Sequence, residues 1–253
     1  MIVSERHQLI VLHCRKAAGS SLCVSLARLL GPQDLQISAL PETMALGIPL
    51  TRRVQRLALR QSSYLLPFWH LLGPRGYRRA VTRAVDHAHR PLLGRKPPHA
   101  PAVRVASAFP REWASFHKLA VVRNPWDRTV SDYFWRIQHC RKPPSFASYV
   151  QALVAGDDLN GIVPLAFHDN WPMYTIDGQV VADTVVRFEQ LQQGLEGCFA
   201  SIGLPWDGWL PRSKGGHRPA AASGDYRSFY TPGLERLVGA LYCREIDQFG
   251  YRF

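Results

Sequence analysis

The chain has 253 residues, 46% of them hydrophobic, which is enough for one α/β domain to bury a full core without disulfide staples. Lys and Arg exceed Asp and Glu by 12, so the surface should draw anions: nucleic acid, acidic membrane, an anionic cofactor or an acidic glycan. No aromatic-basic nucleic-acid signature or zinc-finger spacing appears, and the 5 cysteines never form a Cys-x-x-Cys pair, which argues against nucleic acid, a bound metal and a disulfide framework.

Leu9 to Leu12 have the apolar content of a strand buried on both faces, and the run stops at Arg15 and Lys16. After it, Leu22, Val24, Leu26, Leu29 and Leu30 recur at roughly helical spacing, so the stretch reads as strand, tight loop, helix. The amides of Gly19, Ser20 and Ser21 open that helix unpaired at its positive dipole end, and Lys16 adds a full charge. Such a loop suits phosphate or sulfate. It is not a Walker loop, whose two glycines precede the lysine; a basic turn capped by Ser20 is the plainer reading of these residues alone.

Residues 32 to 50 read as irregular, punctuated by Pro32, Pro41, Gly47 and Pro49. Residues 51 to 93 read as helical and very basic. Val54, Leu57, Ala58 and then Tyr77, Ala80, Val81, Ala84 and Val85 form apolar stripes against rows of arginine. Between them, Tyr64 to Leu72 is too short and too broken by Pro67 to span a bilayer, leaving an interfacial segment or a packed helical pair. Asp86, His87 and His89 do not share one helix face and read as solvated.

A second strand, Leu119 to Val122, ends on Arg123, and Asn124 and Pro125 supply a cap and first turn for the next helix. Ser131 follows about two turns in, where an arginine fork and a hydroxyl can converge on one phosphate. Further along, Ser145 to Ala155 reads as a capped helix closed by Gly156, and Tyr174 to Val181 as a hairpin with a type I′ Asp-Gly turn. Thr184 to Phe188 reads as a strand leading into a helix from Glu189 to Ile202. Lys214 and Arg218 lie in a basic, glycine-containing loop that either folds over a phosphate or stays solvated. A last helix should run from Pro232 to Gln248.

Lys16-Ala-Ala-Gly-Ser-Ser21 and Val122-Arg-Asn-Pro-Trp-Asp-Arg-Thr-Val-Ser131 together resemble the sulfotransferases of the Golgi carbohydrate type and their bacterial relatives. The resemblance continues into Val186 to Leu191 and Tyr226 to Phe253, and covers most of the chain except about 32 to 95. It implies one domain over 1–253, α/β, with a P-loop-like, mostly parallel sheet flanked by helices on both faces and a helical basic insertion. It implies 3′-phosphoadenosine 5′-phosphosulfate (PAPS) as donor, without a metal. The 5′-phosphosulfate would be cradled by Arg15, Lys16, Ala18, Gly19, Ser20 and Ser21, and the 3′-phosphate held by Arg123 and Ser131; Lys214 and Arg218 are the cofactor-binding candidates of the basic loop, without assignment to either phosphate. Arg15 stands where the family usually has proline. Lys16 would stabilise the leaving phosphate, and His99, in a Lys-x-x-His context, would be the base. The acceptor implied is a hydroxyl, of a glycan or glycolipid. The short first apolar run is not a signal peptide, so we expect a cytoplasmic, bacterial protein with the basic helices as a peripheral contact at the inner membrane face. The competing readings are a P-loop small-molecule kinase, which lacks its Walker loop here, and a non-catalytic basic protein that binds membrane or glycan.

Overall fold

The computed structural model describes residues 1–61, 73–213, 218 and 224–253. The architecture is α/β, a mixed sheet flanked by helices. Its strands are β1 (Ile2–Ser4), β2 (Leu9–Leu12), β3 (Leu35–Gln36), β4 (His117–Val122) and, after a separate hairpin of β5 (Thr175–Ile176) and β6 (Gln179–Val180), β7 (Thr184–Arg187). The sheet order is β3-β1-β2-β4-β7. β2 and β4, the strands that carry the two anion motifs, lie side by side in parallel, Leu9 opposite His117 and Leu12 opposite Ala120. β1 runs antiparallel to both β2 and β3, so β2, β3 and β4 share one direction. The near-continuous Leu-Ile-Val-Leu and Leu-Ala-Val-Val runs are buried along their length, as strands covered on two faces require.

The helices are α1 (Gly19–Ala27), α2 (Leu40–Ala45), α3 (Arg52–Gln61), α4 (Gly73–Leu93), α5 (Ala102–Ala108), α6 (Pro110–Ser115), α7 (Pro125–Ile137), α8 (Phe146–Ala155), α9 (Trp171–Tyr174), α10 (Leu191–Ser201), α11 (Pro232–Leu241) and α12 (Cys243–Phe249). The chain falls into two compact units. The first comprises Met1–Cys14, Ala18–Val121 and Pro172–Ser213; the second comprises Arg15–Ala17, Val122–Trp171 and the described residues beyond 213.

The first unit is built on an apolar core of the sheet with Leu22, Val24 and Leu26 from α1, Val105 from α5, and Leu195 and Phe199 from α10. Several expectations meet the geometry directly. The Asp177-Gly178 turn has positive φ at both residues, 50° and 78°, which is what a type I′ hairpin demands. Val54, Ala58, Val81, Ala84 and Val85 are the buried faces of α3 and α4. Three readings need correction. Residues 32 to 50 are not irregular throughout: they contain β3 and α2, because Leu35 and Gln36 complete a sheet edge and Pro41 starts a helix. His89 is buried, not solvated, with Nδ1 2.8 Å from the Val85 carbonyl, and burial pushes its pKa below the usual histidine range. The helix after β7 begins at Leu191, after a 3-10 turn over Phe188–Gln190. The apolar stretch at 64–72 lies outside the described residues. Among the described residues no helix is long and apolar enough to cross a membrane, and no cluster has the makings of a metal site.

The second unit packs α7, α8 and α11 around aromatic side chains, Tyr133, Phe146, Tyr149 and Tyr230 among them. Ser145 caps α8 by accepting from the Ser148 amide, and Gly156 closes it at φ 75°. The C-terminal helix breaks into α11 and α12 at Tyr242, whose φ of −116° is not helical. The break seats the Tyr242 ring under the Arg128 guanidinium, 4.5 Å from the ring centroid, with its hydroxyl 3.3 Å from His168 Nδ1. Arg128 in turn forms a buried ion pair with Glu245, 2.5 Å between Nη2 and Oε2, the two side chains only 4% and 2% exposed.

Removing one partner of such a pair strands the other charge away from water. Glu245→Ala should therefore lower unfolding free energy by about 3–5 kcal/mol, whereas the apolar double replacement Arg128→Met with Glu245→Leu should be near neutral or stabilising. Chemical denaturation measures both; a Glu245→Ala loss under about 1 kcal/mol would mean that the pair is not desolvated.

Candidate functional site

In the second unit the site starts from the first turn of α7. Pro125 occupies its first position, and Asn124 Oδ1 accepts from the amides of Trp126 and Asp127. This cap fixes Asp127 at the helix N-terminus, where a carboxylate is favoured by the dipole. Asp127 is held by two cations. Arg123 donates from Nε to Oδ2 at 2.8 Å, with Nη2 at 2.6 Å, and Arg218 donates from Nη2 to Oδ1 at 2.7 Å. The side chains of Arg123, Arg218 and Asp127 are 12%, 18% and 15% exposed, so these contacts are largely shielded from solvent. Ser131 lies one turn on from Asp127 and Trp135 one turn further, so the three form a stripe along α7. The half-buried Ser131 hydroxyl makes no hydrogen bond among the described residues.

Lys16 belongs to the same unit. Arg123 Nη1 donates to the Lys16 carbonyl at 3.0 Å, and Lys16 Nζ sits 4.8 Å from the ring centroid of Trp135. The two sequence motifs are thus joined by a direct bond. Lys16 and Ala18 both have φ of 57°, a left-handed backbone that non-glycine residues adopt only when their surroundings enforce it. Part of that enforcement is visible one residue earlier. The buried Asn170 accepts from the Arg15 amide through Oδ1 and donates to the Arg15 carbonyl through Nδ2, both at 2.9 Å. The Arg15 guanidinium donates to the Phe167 carbonyl at 2.8 Å and lies 3.5 Å from Asp132. Burial lowers its pKa while Asp132 opposes that shift. Beside Lys16 and Arg15 is a cavity of about 10 Å³, room for about one water, reached by Asp132, Tyr149, His168 and Tyr242. Tyr149 donates to Asp132 at 3.0 Å, and burial drives its hydroxyl pKa upward. Burial also pushes His168 below the usual histidine range, leaving a neutral imidazole near pH 7.

The remaining candidates belong to the first unit. Gly19, Ser20 and Ser21 form the first turn of α1 after the left-handed Ala18. Only glycine fits at 19, because a Cβ there would stand 1.9 Å from His13 Cδ2. Ser20 is half-buried, and Ser21 Oγ accepts from the Ser213 amide at 3.1 Å. His99 ends a 3-10 turn, Pro97–His99, with its ring centroid 4.5 Å from that of His13. Its Nδ1 is 2.9 Å from the His13 carbonyl, and a carbonyl only accepts. That bond assigns the proton to Nδ1 and makes Nε2 the basic nitrogen of the neutral ring. Lys214 lies outside the described residues.

Sequence reasoning passed over Asp127, Trp135, Asn170 and His13. The first two were within reach, since positions 127, 131 and 135 fall on one face of any helix that begins at Pro125. Asn170 and His13 act through contacts that no local pattern announces.

A model of the Sulfotransferase family matches residues 1–160, more than half of the chain and both anion motifs; Asn170 and Arg218 fall beyond it. No curated protein and no solved structure matches the chain. With the two motifs bonded to each other and the family match spanning them, the chain belongs to the sulfotransferase family, whose chemistry is sulfuryl transfer.

Proposed function

We propose that the chain transfers a sulfuryl group from PAPS to a hydroxyl of a glycan or glycolipid. The observation that carries this reading is the bond from Arg123 to the Lys16 carbonyl, which joins the leading residue of each motif within the second unit. The donor set fits the nucleotide. Arg123 and Arg218 already grip a pair of anionic oxygens, those of Asp127, and the Ser131 hydroxyl stands on the same helix face. Two arginine forks and a hydroxyl match a 3′-phosphate in charge and in hydrogen-bond complement.

PAPS, when bound, supplies an activated sulfuryl group on a phosphate leaving group. Lys16 would neutralise charge on that leaving phosphate, with the α1 amides of Gly19, Ser20 and Ser21 and the backbone of Arg15 and Ala18 shaping the loop. The left-handed residues 16 and 18 hold that loop in one conformation, so little ordering remains to be done when a ligand arrives. Arg123, Ser131 and Arg218 would hold the 3′-phosphate, and Lys214 would join them. His99 would take the acceptor's proton at Nε2, the nitrogen its bond to the His13 carbonyl leaves basic. Transfer of a compact anionic group asks for alignment and charge stabilisation from the protein, and these residue types supply both.

Three measurements test this. In calorimetric titrations, Arg123→Ala should weaken 3′-phosphoadenosine 5′-phosphate about 10- to 100-fold, the loss of a charged hydrogen bond worth about 1.5–3 kcal/mol. The same variant should lose much less affinity for adenosine 5′-phosphosulfate, which lacks the 3′-phosphate and feels only the lost bond to the Lys16 carbonyl; an equal loss for both ligands would misplace the 3′ site. Lys16→Ala should lower kcat about 100- to 1,000-fold with a small effect on product affinity, and near-normal turnover would remove it from the leaving-group role. In His99→Gln, the acid-side fall of kcat should flatten and kcat drop about 100- to 10,000-fold, whereas an unaltered pH–rate profile would move the base elsewhere.

A further inference from the structure

We propose a second binding site in the first unit, where the basic helices take one acyl chain of an anionic phospholipid and so seat the protein on an acidic bilayer surface. The site is a cavity of about 370 Å³ between the α2–α3 connection and the N-terminal half of α4, within the size range of pockets that hold small ligands. Its walls are apolar: Met44, Ile48, Pro49 and Leu50 on one side, Pro74 and Tyr77 on the other. They belong to a thin core, in which Ala58, Val81 and Ala84 are the buried residues against which Met44, Leu50 and Tyr77 pack. Such small side chains fill little volume, and the cavity is the space they leave.

Two polar side chains reach the cavity, Gln55 and Arg78. The Gln55 amide is already spent, donating to the Leu50 carbonyl at 2.7 Å. Arg78 has no carboxylate within ion-pair distance among the described residues, so the cavity combines apolar walls with one uncompensated cation. An apolar chain ending in an anion satisfies both.

The surroundings favour a lipid in a bilayer over a small soluble acid. α3 carries Arg52, Arg53, Arg56 and Arg60 and no acid. α4 carries Arg75, Arg78, Arg79, Arg83 and Arg90 against Asp86, whose carboxylate Lys96 and Arg90 favour while burial disfavours it. One soluble anion cannot engage so extended a row, whereas an anionic headgroup layer can. Next to the cavity's own residues stand exposed apolar ones. Leu46, 55% exposed, precedes Gly47, and Leu59, 40% exposed, lies one turn beyond Gln55 on the same face of α3. Apolar residues among arginines on an exposed helical face are the composition of an interfacial surface.

Vesicle flotation of the full chain tests the site, using phosphatidylcholine vesicles with and without phosphatidylglycerol at physiological salt. The chain should float only with phosphatidylglycerol. Arg78→Glu should reduce partitioning at least about ten-fold more than Arg83→Glu, which makes the same charge change at an exposed position of α4 away from the cavity. Arg78→Gln, which removes the charge and matches Glu in length, should show most of the Arg78→Glu loss. Lysophosphatidylglycerol below its micellar concentration should compete, and glycerol 3-phosphate should not. Equal losses at positions 78 and 83 would reduce the effect to diffuse surface charge and overturn the pocket. Competition by glycerol 3-phosphate would replace the acyl site with a headgroup site, and flotation with phosphatidylcholine alone, or none at all, would also overturn the proposal. Binding of 3′-phosphoadenosine 5′-phosphate by the same variants confirms that each is folded and is independent of the lipid result.

Discussion

One carboxylate shared between two guanidinium groups governs the second unit. Arg123 and Arg218 carry like charges in surroundings largely shielded from water, where bringing them together costs free energy unless an anion stands between them. Asp127 is that anion, and it can be so because Asn124 and Pro125 start α7 where they do. The cap, the helix dipole and the two ion pairs thus depend on one another. The consequence is a cluster with one net positive charge, ordered in advance and half-neutralised. A doubly charged anion arriving there would compete with Asp127 for donors that are already ordered.

The same logic accounts for Arg15, at the position where the sequence resemblance leads one to expect proline. Proline has no amide hydrogen to satisfy and a fixed φ; arginine brings an amide donor and a long cation into a half-buried loop. Each added group is matched. Asn170 pairs with the amide and carbonyl of residue 15, much as a neighbouring strand would, while the Phe167 carbonyl and Asp132 take the guanidinium. The loop that presents Lys16 is therefore held by tertiary hydrogen bonds instead of by a ring closure, and Asn170 belongs to its support even though it lies 155 positions away.

What could be read from the residues beforehand follows from the range of each interaction. The strand at Leu9–Leu12, the Asn124-Pro125 helix start, the Ser145 cap and the Asp177-Gly178 turn are decided within a few residues by sterics and local hydrogen bonds, and each lies where its local signal puts it. Gly19 was legible as the opening residue of a helix, but the reason for a glycine there, the His13 ring against its α-carbon, needed the fold. The failures share a cause. Tyr242 breaks a strongly periodic helix because its ring is claimed by Arg128 and His168, and β3 forms from an unremarkable Leu-Gln pair because β1 offers it an edge. Tertiary contacts override propensity there, and no window of sequence contains both partners.

How His99 is oriented bears on the chemistry asked of it. A carboxylate partner would fix the tautomer but also add negative charge and raise the affinity of the ring for a second proton. The His13 carbonyl fixes the same tautomer with a dipole alone. For the base proposed above, which must be neutral to accept a proton, a dipole would do the orienting without bringing a charge beside the ring.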